Sequence, residues 1–472
     1  MATADTAPPD LDAGFTGRLI RPNELDYDEV RKIWNGMIDR RPSLIAQCGG
    51  PDDVVACVRF ARENRLLVSI RGGGHNVSGS AVCDGGLMID LSQMKGIRVD
   101  PTERTVRADA GLLWGEFDRQ CQTFGLATTA GIVTHTGIAG LTVGGGIGHL
   151  MRKHGLTCDN LLAVDLVTAD GDLVHASPDK EPDLFWAVRG GGSNFGIVTR
   201  FVYQLHPVGP EVVAGLIMHR AERATEVLRA YRDFVQHAPR EVGTVVNLRT
   251  APTLPWVPEN LRGRPVVAIV VCFVGATAEA EQVLEPLRRF GPPAADLVVT
   301  KPYLEHQSMF DATVPHGWRY YWKSVSLPPL TNTAIDTLVA TAWRKRSPRS
   351  YMILFHKGGA VRDLSDESMA YTGRDAEHEL NINGAWTAED PDNDDTLWVR
   401  ESFERTIRHS TGGVYLNFLG DEGRERVRAA YGPAKYERLV GLKRRYDPDN
   451  FFRLNQNIDP NPTSGDSRQE SV

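Results

Sequence analysis

Apolar positions along the chain repeat with two periods, and the periods sort the sequence into elements. Residues 51–64 carry Val54, Val55, Val58 and Ala61 three or four apart, which predicts a helix with one buried face. Helical spacing recurs over 223–236, where Val227, Leu228, Tyr231, Phe234 and Val235 share a face. It recurs again over 277–290, which stops before Gly291-Pro292, and over 331–345. Short apolar runs predict strands at 67–70, 266–275 and 351–356. Three more segments alternate with period two, as strands do. Trp318, Tyr320 and Trp322 alternate with Arg319, Tyr321 and Lys323; Leu380 and Ile382 alternate with Glu379, Asn381 and Asn383. Between Val414 and Phe418, Tyr415 and Asn417 take one side together.

The distribution of glycine divides the chain. Of 46 glycines, many fall in three knots at 72–74, 137–148 and 190–196. After about Pro207 the texture changes to ordinary amphipathic helices and β-rich runs. At ~150 residues per domain, 472 residues suggest two or three domains. The expected organisation is α+β: a glycine-rich domain over 15–207, a second α+β domain over 208–433, and a piece at 434–460 too short to stand alone. Residues 461–472 are polar and Pro/Ser-rich, which predicts a disordered tail.

Charge and cysteine narrow the function classes. Lys and Arg number 53 against 60 Asp and Glu, a net charge of −7, so a basic nucleic-acid surface is not expected. The basic runs at 344–346 and 443–445 fall in helix-like segments and read as solvated faces. No window of ~18 apolar residues suggests a membrane span. The first 17 residues have no apolar h-region and no basic transit character, and the six cysteines form no Cys-x-x-Cys pair. These features predict a reduced, cytoplasmic protein.

Glycine knots at strand–turn–helix boundaries let backbone approach a large ligand and aim N–H groups at phosphates, although each knot alone also fits a tight turn. The dinucleotide fingerprint G-x-G-x-x-G fails in all three: His149 replaces the third glycine after Gly144 and Gly146, and the runs from Gly72 and Gly190 fail at the sixth place. No P-loop, nucleophile elbow or zinc-protease motif is present. His149 and His154 are five apart, a poor spacing for two ligands on one helix face, and no metal is expected.

The run SIRGGGHNVSGSAVCDGGLMIDLSQM, with GIVTHTGIAGLTVGGGIGHLMRKHGLTCDNLLAVDLVTADG, PDLFWAVRGGGSNFGIVTRF and YERLVGLKRRYDPDNFFRLNQNI, carries a resemblance across about residues 40–460. The chain resembles the vanillyl-alcohol oxidase superfamily, and within it the berberine-bridge-enzyme-like FAD-linked oxidases. The resemblance implies a two-subdomain FAD-binding domain completed by 434–460, and a substrate domain whose antiparallel sheet covers the flavin. The histidine of R-x-G-G-H bonds covalently to the 8α-methyl of FAD in that family, which points to His75. The other cofactor contacts it implies are Arg71, Gly72, Gly73, Gly74, Asn76, Gly79 and Ser80 in the first loop. They continue with Thr134, His135, Gly137, Gly140, Leu141, Gly144, Gly145 and Gly148 in the second, then Val198 and Asn455. Arg71 and the glycine N–H groups are expected to offset the pyrophosphate charge. Many members add a cysteinyl link, but Val133 stands at that position and cannot form it. A single histidyl link is therefore expected, as in the 6-hydroxy-D-nicotine oxidases, which the stretch 125–198 resembles. Imidazole at the 8α carbon withdraws electron density and fixes the ring, which favours hydride acceptance.

The strand containing Glu379 is polar on one face. That pattern fits an ordinary sheet with a solvated face, and it also fits a cavity wall, since Asn is a poor strand former. By resemblance the catalytic base of this strand falls on Glu379, with Asp375 as the alternative. The Tyr-x-Asn run is similar to one that faces the active site in the family. The pattern alone leaves Tyr415 as core; the resemblance implies a proton acceptor or substrate anchor there, with Asn417 orienting substrate and Asn381 among the catalytic candidates. The aromatic face of Trp318, Tyr320 and Trp322 is either core or pocket wall. The expected reaction is hydride transfer from an alcohol or amine carbon of a small molecule to FAD, with dioxygen as acceptor. In the family a residue three places after the second-link position gates oxygen. Here it is Thr136, close in size to the permissive Val. The alternatives are a dehydrogenase with another acceptor, and a cyclase or isomerase that uses flavin as a scaffold.

Overall fold

The computed structural model describes Leu11 and residues 15–462. The expectation of disorder for 461–472 lies almost wholly outside these residues, as does most of the N-terminal segment. Three sheets organise the α+β architecture. The first has four strands in the order Arg18–Ile20, Leu44–Gln47, Leu87–Asp90, Val68–Arg71, with the last three parallel. Leu87–Asp90 is buried throughout, as expected of a central parallel strand covered on both faces. The connecting helix Pro51–Glu63 starts at Pro51 with Asp52 and Asp53 in its first turn. It buries Val54, Cys57, Val58 and Ala61, whereas Val55 stays partly exposed.

The second sheet is antiparallel, in the order Ile97–Asp100, Thr105–Asp109, Ile197–Gln204, Leu161–Val167, Leu173–Ala176. The first hydrophobic cluster runs through both sheets and takes in Leu439, Phe452 and Ile458 from the C-terminal end of the chain. There Lys443 is fully buried and donates to Asp447 at 2.7 Å and to the carbonyls of Asn194 and Phe452, each at 2.8 Å. A buried ammonium with three acceptors ties residues after 433 to the third glycine knot.

The large sheet is antiparallel and has eight strands. His378–Trp386 lies between Arg319–Leu327 and Tyr351–His356, with Asn383 opposite both Trp322 and Tyr351. On one face Leu380 and Ile382 meet a hydrophobic cluster that includes Trp398 and Val399 of helix Thr396–Thr406, which packs on this strand, and that extends to Val227, Leu228 and Tyr231 of helix Ala224–Val235. The other face packs Tyr351, Ile353 and Phe355 against Trp34, Ile147 and Tyr415. Period-two alternation thus becomes a sheet with helices on one side and the glycine-rich part on the other. The polar face is not solvated: Glu379, Asn381 and Asn383 are all buried.

Segment 414–418 departs from expectation. It is not a strand: Tyr415 is extended and Leu416–Phe418 forms a 3₁₀ turn. The side chains of Tyr415 and Asn417 still converge, because both are held by the second glycine knot rather than by a strand neighbour. Asn417 donates to the Leu141 carbonyl at 2.9 Å and to the Tyr415 hydroxyl oxygen at 2.8 Å.

Among the described residues no helix is long and apolar enough to cross a membrane. All six cysteines are buried and unpaired.

Buried histidines set a pH dependence of stability. Burial lowers His149 to about 4 and His378 and His154 to about 3, and it holds His306 well below 6.5. The unfolded chain protonates these groups near 6.5 while the fold keeps them neutral. Their contribution is therefore complete above pH ~6.5 and is lost as pH falls, by up to about 1.4 kcal/mol per pH unit per histidine. Burial raises Asp118 to about 7 and also raises Glu379, which run the opposite way but are fewer. Thermal unfolding should give a lower Tm at pH 5.5 than at pH 7.5. An equal or higher Tm at pH 5.5 would contradict the histidine account.

Candidate functional site

Two confluent cavities lie between the large sheet and the glycine loops, with about 1140 and 900 Å³ of empty space, their mouths included. They share Ile70, Gly72, Asn76, Ala81, Gly140 and Asn417. The first is walled by Trp34, Trp322, Tyr351, Phe355 and Phe418 and carries His75, Asn381, Asn383, Tyr415 and Asn417. The second runs toward Ser80, Gly144, Gly192, Ser193, Val198 and Asn455. Among the described residues, no Asp, Glu, Lys, Arg or Cys lines either cavity.

The loops meet because they lack side chains. A Cβ on Gly73 would lie 2.3 Å from the Gly137 nitrogen, so the first and second knots touch backbone to backbone. Of the expected cofactor contacts, Gly72, Gly73, Gly74, His75, Asn76, Gly137, Gly140 and Leu141 line the first cavity. Ser80, Gly144, Val198 and Asn455 line the second. Arg71, Gly79, Thr134, His135, Gly145 and Gly148 line neither.

Arg71 is committed elsewhere. Its Nε donates to Asp90 at 3.0 Å, its Nη2 pairs with the same carboxylate, and its Nη1 bonds the carbonyls of Val30 and Lys32. Burial works against charge on Asp90, but Arg71 together with the Gln47 amide and the Ser92 N–H outweighs it and holds the carboxyl below its usual range. The expectation that Arg71 neutralises a pyrophosphate is thereby corrected, since it lines neither cavity and four of its five N–H donors, with its charge, are engaged by Asp90, Val30 and Lys32. Gly148 is a packing position: a Cβ there would lie 1.7 Å from the Ala130 carbonyl oxygen.

His75 stacks on Trp34, with ring centroids 4.4 Å apart and 19° between planes. Its Nε2 lies 2.8 Å from Nδ1 of His135, and ring nitrogens of His75, His135 and His316 all fall within 4.8 Å of one another. Burial, then the neighbouring His135 and His316, push His75 well below its ordinary value. Burial likewise lowers His135, against a raising influence of Asp311. Asp311 also accepts from Thr134 N at 2.9 Å and from Thr134 Oγ1, which fixes this loop.

The Tyr415 oxygen accepts from Gly146 N at 2.9 Å, Ile147 N at 3.3 Å and Asn417 Nδ2 at 2.8 Å. Burial raises its pKa and these donors oppose the rise. Glu379 is placed differently from expectation. It does not line the cavity; its carboxylate accepts from Ser326 Oγ at 2.6 Å and from the Tyr415 amide at 3.3 Å, with Lys357 Nζ 3.9 Å away. Burial raises its pKa, against Lys357. Asp375 is exposed in a turn and is no candidate for the base.

On the same strand Asn381 and Asn383 do reach the cavity. Asn383 Nδ2 donates to Asn381 Oδ1, leaving Asn381 Nδ2 and Asn383 Oδ1 buried without a protein partner. Trp322 lines the cavity, whereas Tyr320 is core and stacks on Trp34 at 3.7 Å. Trp34 itself has no sequence signal, being a lone aromatic in a segment without periodicity.

These features fit a bound FAD. The cavities form one elongated space, Gly140 opens onto it with nothing within 4 Å of where a Cβ would be, and Asn455 Oδ1 is buried and unpartnered beside it. Comparison with known proteins agrees. Residues 42–177 match the FAD binding domain family and residues 414–459 the berberine and berberine-like family. The chain belongs to the berberine-bridge-enzyme-like FAD-linked oxidoreductases and has the vanillyl-alcohol oxidase-type fold. It is 30% identical over 449 residues to an FAD-linked oxidoreductase of Dictyostelium discoideum, covering 94% of this chain and 95% of that protein. It is 32% identical over 469 residues to (R)-6-hydroxynicotine oxidase of Paenarthrobacter nicotinovorans, covering 94% and 97%. The crystal structure of 6-hydroxy-D-nicotine oxidase from Arthrobacter nicotinovorans superposes with a TM-score of 0.84 at 29% identity, covering 97% of this chain and 100% of that one.

Proposed function

We propose that the protein is an oxidase that removes hydride from an alcohol or amine carbon of a small, neutral molecule, with dioxygen as the final acceptor. Residues 15–207 and 434–460 hold FAD, and 208–433 supply the sheet that faces it. FAD, when bound, supplies the hydride acceptor. His75 carries the only covalent link, at the wall of the first cavity. Val133 occupies the second-link position, and the absence of any cysteine among the lining residues supports a single bond.

The observation that carries the reading is the Tyr415 phenol in the cavity that also holds His75. Three N–H donors aimed at one phenol oxygen oppose the burial that raises its pKa, and the phenolate they favour is the form that takes a proton from a substrate O–H or N–H. Glu379, behind the wall, holds the Tyr415 amide and positions that residue; the role of base passes from Glu379 to Tyr415. Asn417 orients the phenol. The free amide N–H of Asn381 and carbonyl of Asn383 offer a donor and an acceptor to substrate, and the aromatic walls suit a ring. A neutral substrate follows from a lining without carboxylate, ammonium or guanidinium groups. Thr136 lines the same cavity, which supports oxygen access.

The test is a panel of neutral aromatic alcohols, cyclic sugars and weakly basic aromatic amines, read by flavin bleaching and peroxide release. Bleaching by at least one member, with rapid return of colour in air and release of peroxide, is expected. Colour that returns with an added quinone but not in air would make the protein a dehydrogenase.

A further inference from the structure

We propose that His135 is the base for attachment of the flavin to His75, and that His316 carries the proton out to solvent. The inference rests on the reading that His75 bears the link. Attachment consumes one N–H of His75, so that hydrogen needs an acceptor within hydrogen-bond distance. His135 Nδ1 provides it, 2.8 Å from His75 Nε2. The Trp34 stack fixes the plane of His75, so with Nε2 turned to His135 the nitrogen left for carbon is Nδ1.

The surroundings suit a transient imidazolium at His135. The groups facing it are His75, the Asp311 carboxylate and His316, with ring centroids of His135 and His316 4.9 Å apart. Asp311 favours the cation, while the two imidazoles disfavour its persistence. His316 is exposed and opens this pair to water. Three imidazoles then run from the half-buried His75 to the surface, a path that the attachment reaction uses and that later turnover at Tyr415 does not.

The step balances as follows. A bond forms between His75 Nδ1 and the 8α carbon; one C–H bond of that carbon and the Nε2–H bond of His75 break. The electron pair enters the flavin ring, one hydrogen remains with the reduced ring, and the other passes as a proton to His135. Dioxygen, the oxidant, then removes the pair, and both hydrogens are accounted for in hydrogen peroxide. The sum is one N–H and one C–H exchanged for one N–C bond.

Full-length wild type and the variants His135→Ala, His135→Gln and His316→Ala, purified from riboflavin-starved cells, would be incubated with FAD in air. Flavin that stays with acid-precipitated protein would be followed over time. Both His135 variants should bind FAD and turn yellow but attach it about a hundredfold or more slowly. Added imidazole should restore part of the rate in His135→Ala, and His316→Ala should slow attachment less. Peptide analysis should find the bond at Nδ1. Wild type that never retains flavin would overturn the reading of His75 itself. Variants that attach at the wild-type rate, slow or FAD-free variants that imidazole does not restore, or a bond at Nε2 would overturn the role of His135 and leave His75 standing.

Discussion

Substituting His75 by Ala should yield a protein that binds FAD yet releases all of it on acid precipitation. The cavities that hold the cofactor do not depend on this ring alone: glycine backbone from all three knots, Asn76, Asn417 and Asn455 line them as well. What disappears is the bond and what the bond does. An 8α substituent withdraws electrons from the ring and removes its freedom to shift, so flavin reduction by any active member of the panel should also slow, by roughly tenfold or more. Complete retention of flavin by His75→Ala would mean that another side chain carries the link. Among the described residues no cysteine lines the cavities, so that residue would have to be found by peptide mapping.

Tyr415→Phe should be the most damaging change that leaves the cofactor in place. It removes one oxygen from a buried position and leaves the N–H groups of Gly146 and Ile147 and one N–H of Asn417 without that acceptor. Loss of the base predicts a fall of about 10²–10⁴ in the rate of flavin reduction by the best wild-type substrate of the panel. Covalent flavin should remain, because His135 and not Tyr415 serves attachment. Glu379→Gln supplies the contrast. Gln retains an oxygen for Ser326 or the Tyr415 amide, so its effect should be much smaller. A Tyr415→Phe enzyme at full speed beside a dead Glu379→Gln enzyme would reverse the two roles.

The sequence revealed faces more readily than depth. Alternation in 378–386 assigns Glu379, Asn381 and Asn383 to one side, and the structure has them there. Alternation does not say how far along a strand a cavity reaches, so it could not separate Glu379, closed in by Ser326 and Tyr415, from Asn381 and Asn383, which reach the space. Segment 414–418 misled for a related reason. Residues two apart share a side in a strand, but a 3₁₀ turn braced by Leu141, Gly146 and Ile147 brings Tyr415 and Asn417 together as well. Arg71 looked free because the sequence hides its partner: Asp90 lies on the neighbouring parallel strand, directly opposite it. Trp34 was invisible because nothing local marks a residue whose partners, His75 and Tyr320, lie far along the chain. Composition and periodicity pointed to an α+β fold, and the family resemblance of the glycine-rich runs, not their glycine content, pointed to FAD.

The central claim is a single flavin bond at His75, and it is tested most directly by the visible spectrum of wild-type protein before and after acid precipitation, followed by peptide mapping of the pellet. The account predicts a yellow pellet, a colourless supernatant and one flavin peptide, the one containing His75. Flavin in the supernatant, or a second flavin peptide bearing a cysteinyl link, would contradict it.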